Sequence, residues 1–108
     1  MGFFDKLKKE FNAGVDSAYK GNIDDAQRRA KNALSRGKDN LGWGKADKAI
    51  KEFNTALKDD PYLADAYAYR GAAHRKKGAL DLAAADLNKA LSLDPNNDFA
   101  KSELQNIG

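Results

Sequence analysis

The apolar residues between positions 64 and 93 fall into two series at helical spacing. The first series consists of Tyr67, Gly71 and His74, and the second consists of Leu80, Ala83, Leu87, Ala90 and Leu91. Lys77 and Gly78 separate the two series, and a basic last turn followed by glycine is typical of a helix end. Asp94 and Pro95 follow the second series, and proline disfavours the helical conformation at the residue before it. The pattern predicts a helix, a tight turn and a second helix.

Small residues in this segment predict where the two helices approach each other closely. Gly71 and Ala83 leave room for a neighbouring backbone, as does Ala72. Tyr67 and Leu87 lie about a turn away and can fill the space between the helices, together with Leu91. We therefore expect Gly71 and Ala83 to be contact positions inside a helical hairpin.

The preceding segment, residues 30–63, repeats this pattern. Eleven positions are identical at one constant offset without a gap: Ala30/Ala64, Arg36/Arg70, Gly37/Gly71, Gly44/Gly78, Asp47/Asp81, Ala49/Ala83, Asn54/Asn88, Ala56/Ala90, Leu57/Leu91, Asp60/Asp94 and Pro61/Pro95. The identities are concentrated at glycine, alanine and Asp-Pro positions. They therefore indicate a shared backbone geometry more than a shared charge.

A period of about 34 residues made of helix, turn and helix is that of the tetratricopeptide repeat. Residues 64–97 resemble this repeat over their full length, and residues 30–63 resemble it in their second half, KADKAIKEFNTALKDDP. In the first half of residues 30–63, Ala33, Arg36 and Asn40 replace large apolar residues. This replacement predicts a shortened or distorted first helix.

Two features before the second hairpin stay open at this point. Residues 35–44 are compatible with helix or loop. Residues 21–34 resemble the second helix of a degenerate repeat and overlap the copy that starts at Ala30. Either one helix serves two hairpins, or the first repeat is incomplete.

The resemblance implies an all-α fold in which helix-turn-helix repeats stack as a short right-handed α-solenoid, closed by a C-terminal capping helix. We expect about five or six helices in one tetratricopeptide-like domain that spans residues 1–108. Its expected parts are an N-terminal amphipathic helix with a degenerate repeat (1–29), two repeats (30–63 and 64–97) and the capping helix (98–108). The capping segment carries Phe99, Leu104 and Ile107 among polar residues.

Composition and charge narrow the class of function. Of the 108 residues, 32% are charged and 42% are hydrophobic, a balance typical of a folded helical protein. The net charge of +3 is small and both signs are interspersed, so nucleic acid is not an expected partner. The absence of cysteine, of a signal-peptide core and of a long apolar run favours the cytoplasm.

The sequence offers little material for catalysis. It contains one histidine and no cysteine, so we expect no enzyme, no bound metal and no cofactor. The glycine-rich stretch 37–45 lacks a phosphate-binding pattern, because Asp39 and Ala46 stand where glycine and Ser or Thr are needed. That stretch is therefore interpreted as a helix end and a turn. Trp43 is predicted to fill a gap between helices, and His74 is predicted to be a structural histidine.

The resemblance implies a scaffold that binds a peptide or partner protein on a concave surface lined by the first helix of each repeat. Helical phase predicts a lining made of Lys31, Leu34, Lys38 and Leu41 from one first helix and of Asp65, Ala68, Tyr69, Ala72, Arg75 and Lys76 from the next. This lining is basic with an apolar floor, which predicts an acidic or C-terminal peptide with apolar anchors. The family's clamp for chaperone carboxylate tails needs asparagine where Ser35 and Tyr69 stand, so that clamp is not expected.

Two other functions are compatible with the sequence. The N-terminus carries an apolar helical stripe composed of Phe3, Phe4, Leu7 and Phe11 beside Lys6, Lys8 and Lys9. This stripe either packs on the following helix as a cap or makes weak contact with an anionic membrane surface. The second function is self-association through exposed hairpin faces.

Overall fold

The computed structural model describes residues 24–107, which form five helices and no strand. The first helix, α1, covers residues 24–42 of this part. The others are α2 (Ala46–Asp59), α3 (Ala64–Lys76), α4 (Leu80–Leu93) and α5 (Asp98–Ile107). The predicted all-α helical-repeat fold is confirmed. The apolar stripe of residues 3–11 lies outside the described residues.

The two hairpin turns, α1 to α2 and α3 to α4, have the same backbone geometry. Gly44 and Gly78 both have positive φ, 77° and 81°, a conformation that costs little only without a Cβ atom. The amide of Lys45 donates to the carbonyl of Asn40 at 2.8 Å, and the amide of Ala79 donates to that of His74 at 2.9 Å. Each turn thus closes its helix with the hydrogen bond of a glycine C-cap.

The two Asp-Pro positions also end their helices in the same way. The amides of Asp60 and Asp94 donate to the carbonyls of Ala56 and Ala90, each at 2.8 Å. The two aspartate carboxylates then accept from the amide two residues ahead, at 3.1 Å in both cases. The repeated sequence positions therefore repeat a local structure.

Helix α1 is continuous through Gly42, so the expectation of a shortened or distorted helix is wrong. Its small residues mark close packing. Ala30 and Ala33 are fully buried in a cluster with Ala56 of α2 and Ala66 of α3. Large side chains at these positions would separate the three helices.

Each hairpin contains one glycine that faces a large buried side chain. A Cβ atom on Gly37 would overlap the ring of Phe53, and one on Gly71 would lie 2.8 Å from Cγ of Leu87. Phe53 and Leu87 are the largest fully buried side chains in the described part, and they occupy equivalent places in the two repeats. The same added Cβ atom on Gly71 would lie 3.1 Å from the carbonyl oxygen of Ala83, as expected of a contact position.

Helix α3 is central to the array. It packs against α2, α4 and α5. One side of it joins a core with Leu41 and Phe53, and the other joins a core with Leu87 and Ala100. Among residues 24–107 no helix is both long and apolar enough to cross a membrane.

Replacing Ala83 by leucine should overpack the second hairpin. Ala83 is fully buried and its backbone lies beside Gly71, so three added carbon atoms must displace the helices. We expect the free energy of unfolding to fall by roughly 1–3 kcal/mol. Chemical denaturation measures this change. Ala85→Leu is the matched control, because Ala85 lies on the exposed side of the same helix. Equal midpoints and slopes for Ala83→Leu and the wild type would contradict the hairpin geometry.

Candidate functional site: a groove between three helices

A depression of about 260 Å³ lies between α1, α3 and α5. Its lining consists of Lys38, Leu41, Gly42, Tyr69, Ala72, Lys76, Phe99 and Glu103. The apolar side chains, which are buried or half-buried, form its floor, and its two lysines are exposed. We call this depression the groove.

Tyr69 is the centre of the groove. Its ring stacks on Phe99 of α5 with centroids 4.2 Å apart, and it lies 6.2 Å from the ring of Phe53, which is fully buried. The ammonium group of Lys38 is 4.9 Å from the centroid of the same ring. One aromatic side chain of α3 therefore contacts residues of α1, α2 and α5, and the position of each neighbouring helix affects its orientation.

The basic side chains in and beside the groove differ in whether they are already paired with a carboxylate. Lys38 and Lys76 are exposed. Arg75 instead donates to the carboxylate of Glu103 through Nε at 2.5 Å and through Nη2 at 3.5 Å. This hydrogen bond raises the pKa of Arg75. Two lysines therefore remain available to an incoming anion, while the arginine already has one.

The structure brings together five of the ten predicted groove residues. Lys38, Leu41, Tyr69, Ala72 and Lys76 line the groove. Four of the other five lie outside the lining and differ in environment. Leu34 is half-buried between two core clusters, Lys31 is exposed on α1, Asp65 accepts a hydrogen bond from Asn97, and Arg75 pairs with Glu103.

The prediction that Ala68 lines the same surface is wrong. Ala68 is fully buried with Leu87 of α4 and Ala100 of α5. It therefore faces the second helix of its own hairpin and the capping helix.

Three groove residues, Gly42, Phe99 and Glu103, were not predicted from the sequence. Phe99 and Glu103 belong to α5, which was expected to act as a polar cap. The signal that could have found them is the repeat itself. One repeat period relates Glu103 to Tyr69 and so places it at a groove position.

A polar cluster away from the groove lining joins α2, α3 and α4. Arg70 donates to both carboxylate oxygens of Asp86, at 2.7 and 2.8 Å, and to the amide oxygen of Asn54 at 2.9 Å. The bond to Asp86 raises the pKa of Arg70. Arg36 and Glu52 form the equivalent pair of the first hairpin at 3.0 Å. These contacts bind first helices to second helices and join the two repeats.

His74 lies at the edge of this cluster, with Nε2 3.7 Å from Asp86. Its side chain is 16% exposed, as expected for a structural histidine. Burial lowers the pKa of His74, Asp86 opposes that shift, and Arg70 and Lys77 add to it.

Trp43 is 70% exposed, so the prediction that it fills a gap between helices is wrong. It stands in the turn after α1, with the ammonium group of Lys45 5.6 Å from its ring. The glycine-rich stretch around it is the end of α1 and the following turn, as predicted. Within residues 24–107, no three His, Asp or Glu side chains are grouped to hold a metal ion.

Comparison with known families and structures places this geometry in context. Residues 64–97 match the family model described as tetratricopeptide repeat (TPR). The second TPR domain of the human RPAP3 protein, solved in complex with the HSP70 peptide SGPTIEEVD, is 28% identical with a TM-score of 0.70. The match covers 92% of this chain and 90% of that one. A comparison with curated proteins gives no significant match.

Two further TPR structures are similar. The first TPR of Spaghetti (RPAP3), bound to the HSP90 peptide SRMEEVD, is 27% identical with a TM-score of 0.70, over 95% of this chain and 85% of that one. The Arabidopsis OM64 TPR domain is 22% identical with a TM-score of 0.71, over 94% and 92% of the two chains. The last similarity concerns the fold alone.

The pKa of His74 generates a prediction about stability and pH. Because the folded protein holds this pKa below the ordinary value of 6.5, the unfolded chain binds more protons as the pH falls through that value. The free energy of unfolding should therefore be highest above about pH 6.5 and should decrease as the pH falls below that value. Denaturation at several pH values between about 7.5 and 5.5 measures the slope.

The variant His74→Asn should flatten that slope. Asparagine is the residue at the equivalent position of the first repeat, Asn40, and the chain contains no other histidine. An equal pH dependence in the variant and the wild type would show that another group is responsible.

Proposed function

Because residues 64–97 form a tetratricopeptide repeat within a TPR-domain fold, we propose that this chain is a non-enzymatic interaction module whose groove binds a peptide. The observation that carries this proposal is the combination of an aromatic floor with two exposed lysines. Tyr69 and Phe99 form the floor, and Lys38 and Lys76 stand beside it. A peptide can use both features at once, through an apolar side chain and a carboxylate.

The size of the groove favours a peptide side chain over a small-molecule ligand. Its volume of about 260 Å³ is below the roughly 300–1,000 Å³ of typical small-molecule sites. Aromatic side chains that are already fixed by packing lose little entropy on binding, and they are common among the residues that dominate interface energies. Tyr69 is fixed in this way by Phe53 and Phe99.

The charge of the groove favours a peptide that carries a carboxylate. Lys38 and Lys76 are exposed and would attract an anion during association. Two structures with this fold hold peptides that end in EEVD. Their sequences supply carboxylates beside an apolar valine. We therefore propose an acidic or C-terminal peptide with apolar anchors as the partner.

Binding here does not require the asparagines of the carboxylate clamp. Tyr69 occupies one of those positions and offers an aromatic face in place of an amide. We therefore expect Tyr69 to contact an apolar side chain of the peptide, where the asparagine of the clamp would make a polar contact. A ligand of this groove should depend on its apolar residue as much as on its charge.

Self-association is a second candidate function, favoured by one exposed apolar region. Leu80 and Leu82 are 46% and 56% exposed at the start of α4, where a shallow depression lies beside the turn at Gly78. A monomeric mass in light scattering at high concentration would argue against it. A dimeric mass that Leu82→Lys returns to monomer would support it.

Binding of the peptide SRMEEVD, here called the acidic probe, tests the groove. In fluorescence polarisation the variant Lys38→Gln/Lys76→Gln should bind it roughly tenfold more weakly and with a smaller salt dependence, because rim charges govern association and its screening. Lys51→Gln/Lys89→Gln is the control, since it removes the same charge from exposed positions on α2 and α4.

Three outcomes would count against the proposal. Equal losses in the two double variants would indicate a general charge effect and no specific site. Unchanged affinity in the groove variant would mean that the probe binds elsewhere. Absence of any binding by the wild type would remove the acidic class of peptide from consideration.

A further inference from the structure

Glu103 brings a negative charge into a groove whose other charges are positive. It lies on α5, its side chain is only 12% exposed, and it lines the groove with Lys38 and Lys76. Phe99, one turn earlier on α5, stacks on Tyr69. The stacking and the ion pair to Arg75 hold α5 against α3 at two points. The position of the carboxylate is thereby fixed.

Burial of this carboxylate has two effects on an incoming anion. The first is repulsion, which is stronger here than in water because the side chain is largely shielded from solvent. The second is the occupation of Arg75, whose Nε donates to Glu103 at 2.5 Å. A guanidinium group is well suited to bind a carboxylate through two hydrogen bonds. Glu103 takes the place of such a ligand.

We propose that Glu103 is a specificity-determining residue of the groove, which selects peptides with one carboxylate beside an apolar side chain and discriminates against peptides with several carboxylates. This inference rests on the proposed function, because it concerns ligands of the same groove. Lys38 and Lys76 accept the single carboxylate. A further carboxylate directed toward α5 meets Glu103 and finds Arg75 already paired.

A structural role for Glu103 does not by itself account for its position. The pairs Arg36–Glu52 and Arg70–Asp86 each join the two helices of one hairpin. The pair of Arg75 and Glu103 instead joins α3 to α5, with its acidic member in the groove lining. Arginine–carboxylate pairs hold helices together in both hairpins. In the pair of Arg75 and Glu103, the same interaction also places a negative charge in the groove lining.

Two peptides and two variants test this inference by fluorescence polarisation. The peptides are the acidic probe and SRMQQVL, whose only carboxylate is its C-terminus. Glu103→Gln keeps the shape of the side chain and removes its charge. It should bind the acidic probe roughly tenfold more tightly than the wild type, since repulsion ends and Arg75 becomes free. Its affinity for SRMQQVL should change by about twofold or less.

The variant Arg75→Gln/Glu103→Gln leaves no unpaired charge, so it protects the test against misfolding of the single variant. This double variant should also bind the acidic probe more tightly than the wild type does. Its gain in affinity should be smaller than that of Glu103→Gln, because Arg75 is absent. Glu52→Gln is the matched control. It breaks an arginine pair of the same kind away from the groove lining, and the ratio of the two affinities should not change.

The outcomes separate this inference from the proposed function. If the wild type binds a peptide and Glu103→Gln leaves the ratio of affinities unchanged, Glu103 does not determine specificity and the groove remains a binding site. If Glu103→Gln binds the acidic probe more tightly than the wild type does, while the affinity for SRMQQVL stays within about twofold, the inference is supported. If no variant binds either peptide, both proposals are overturned.

Discussion

The geometry of each hairpin depends on one contact between a glycine of the first helix and a large side chain of the second. Gly37 faces Phe53, and Gly71 faces Leu87. Because both large side chains are fully buried and protein interiors are closely packed, the reach of each side chain fixes the distance between its two helices. The contact recurs once in each repeat. Two hairpins with the same helix separation can stack with their first helices side by side, and every later feature of the molecule depends on that stacking.

The groove is a consequence of this stacking. Helix α5 begins at Asp98, one repeat period after the start of α3 at Ala64, and so takes the place of a further first helix. Three helices of the same type then lie in a row, with α3 in the middle. A side chain on the inner face of α3 contacts both neighbours, as Tyr69 does with Lys38 and Phe99. Displacement of α5 would break this stacking, and α5 itself supplies Phe99 and Glu103 to the groove lining.

The sequence was sufficient to predict α2 to α5, the turns and most of the second hairpin, because each is encoded locally or by the repeat. Glycine turns and Asp-Pro ends are short signals with a direct backbone cause. The side that a residue faces is encoded less clearly. Ala68 and Tyr69 are adjacent on α3, yet one faces Leu87 and the other faces the groove. Small residues are ambiguous in another way. Ala33 was interpreted as a sign of a weak helix, but it is small because the helices pack closely at this position. The exposure of Trp43 depends on how far the turn projects, which no local pattern reports.

Arginine–carboxylate pairs show how one kind of contact can have different consequences in one small fold. Arg70 and Asp86 lie within a hairpin, where the carboxylate is shielded and accepts two hydrogen bonds. No buried side-chain nitrogen or oxygen in the described part lacks a partner, so such pairs offset the cost of burying charge. The pair of Arg75 and Glu103 meets the same requirement between α3 and α5, and its acidic member is part of the groove lining. An arginine that is already paired with a carboxylate of the protein attracts a ligand anion less strongly. For the acidic peptides proposed as ligands, an interaction that stabilises α5 on the array would therefore oppose binding in the groove.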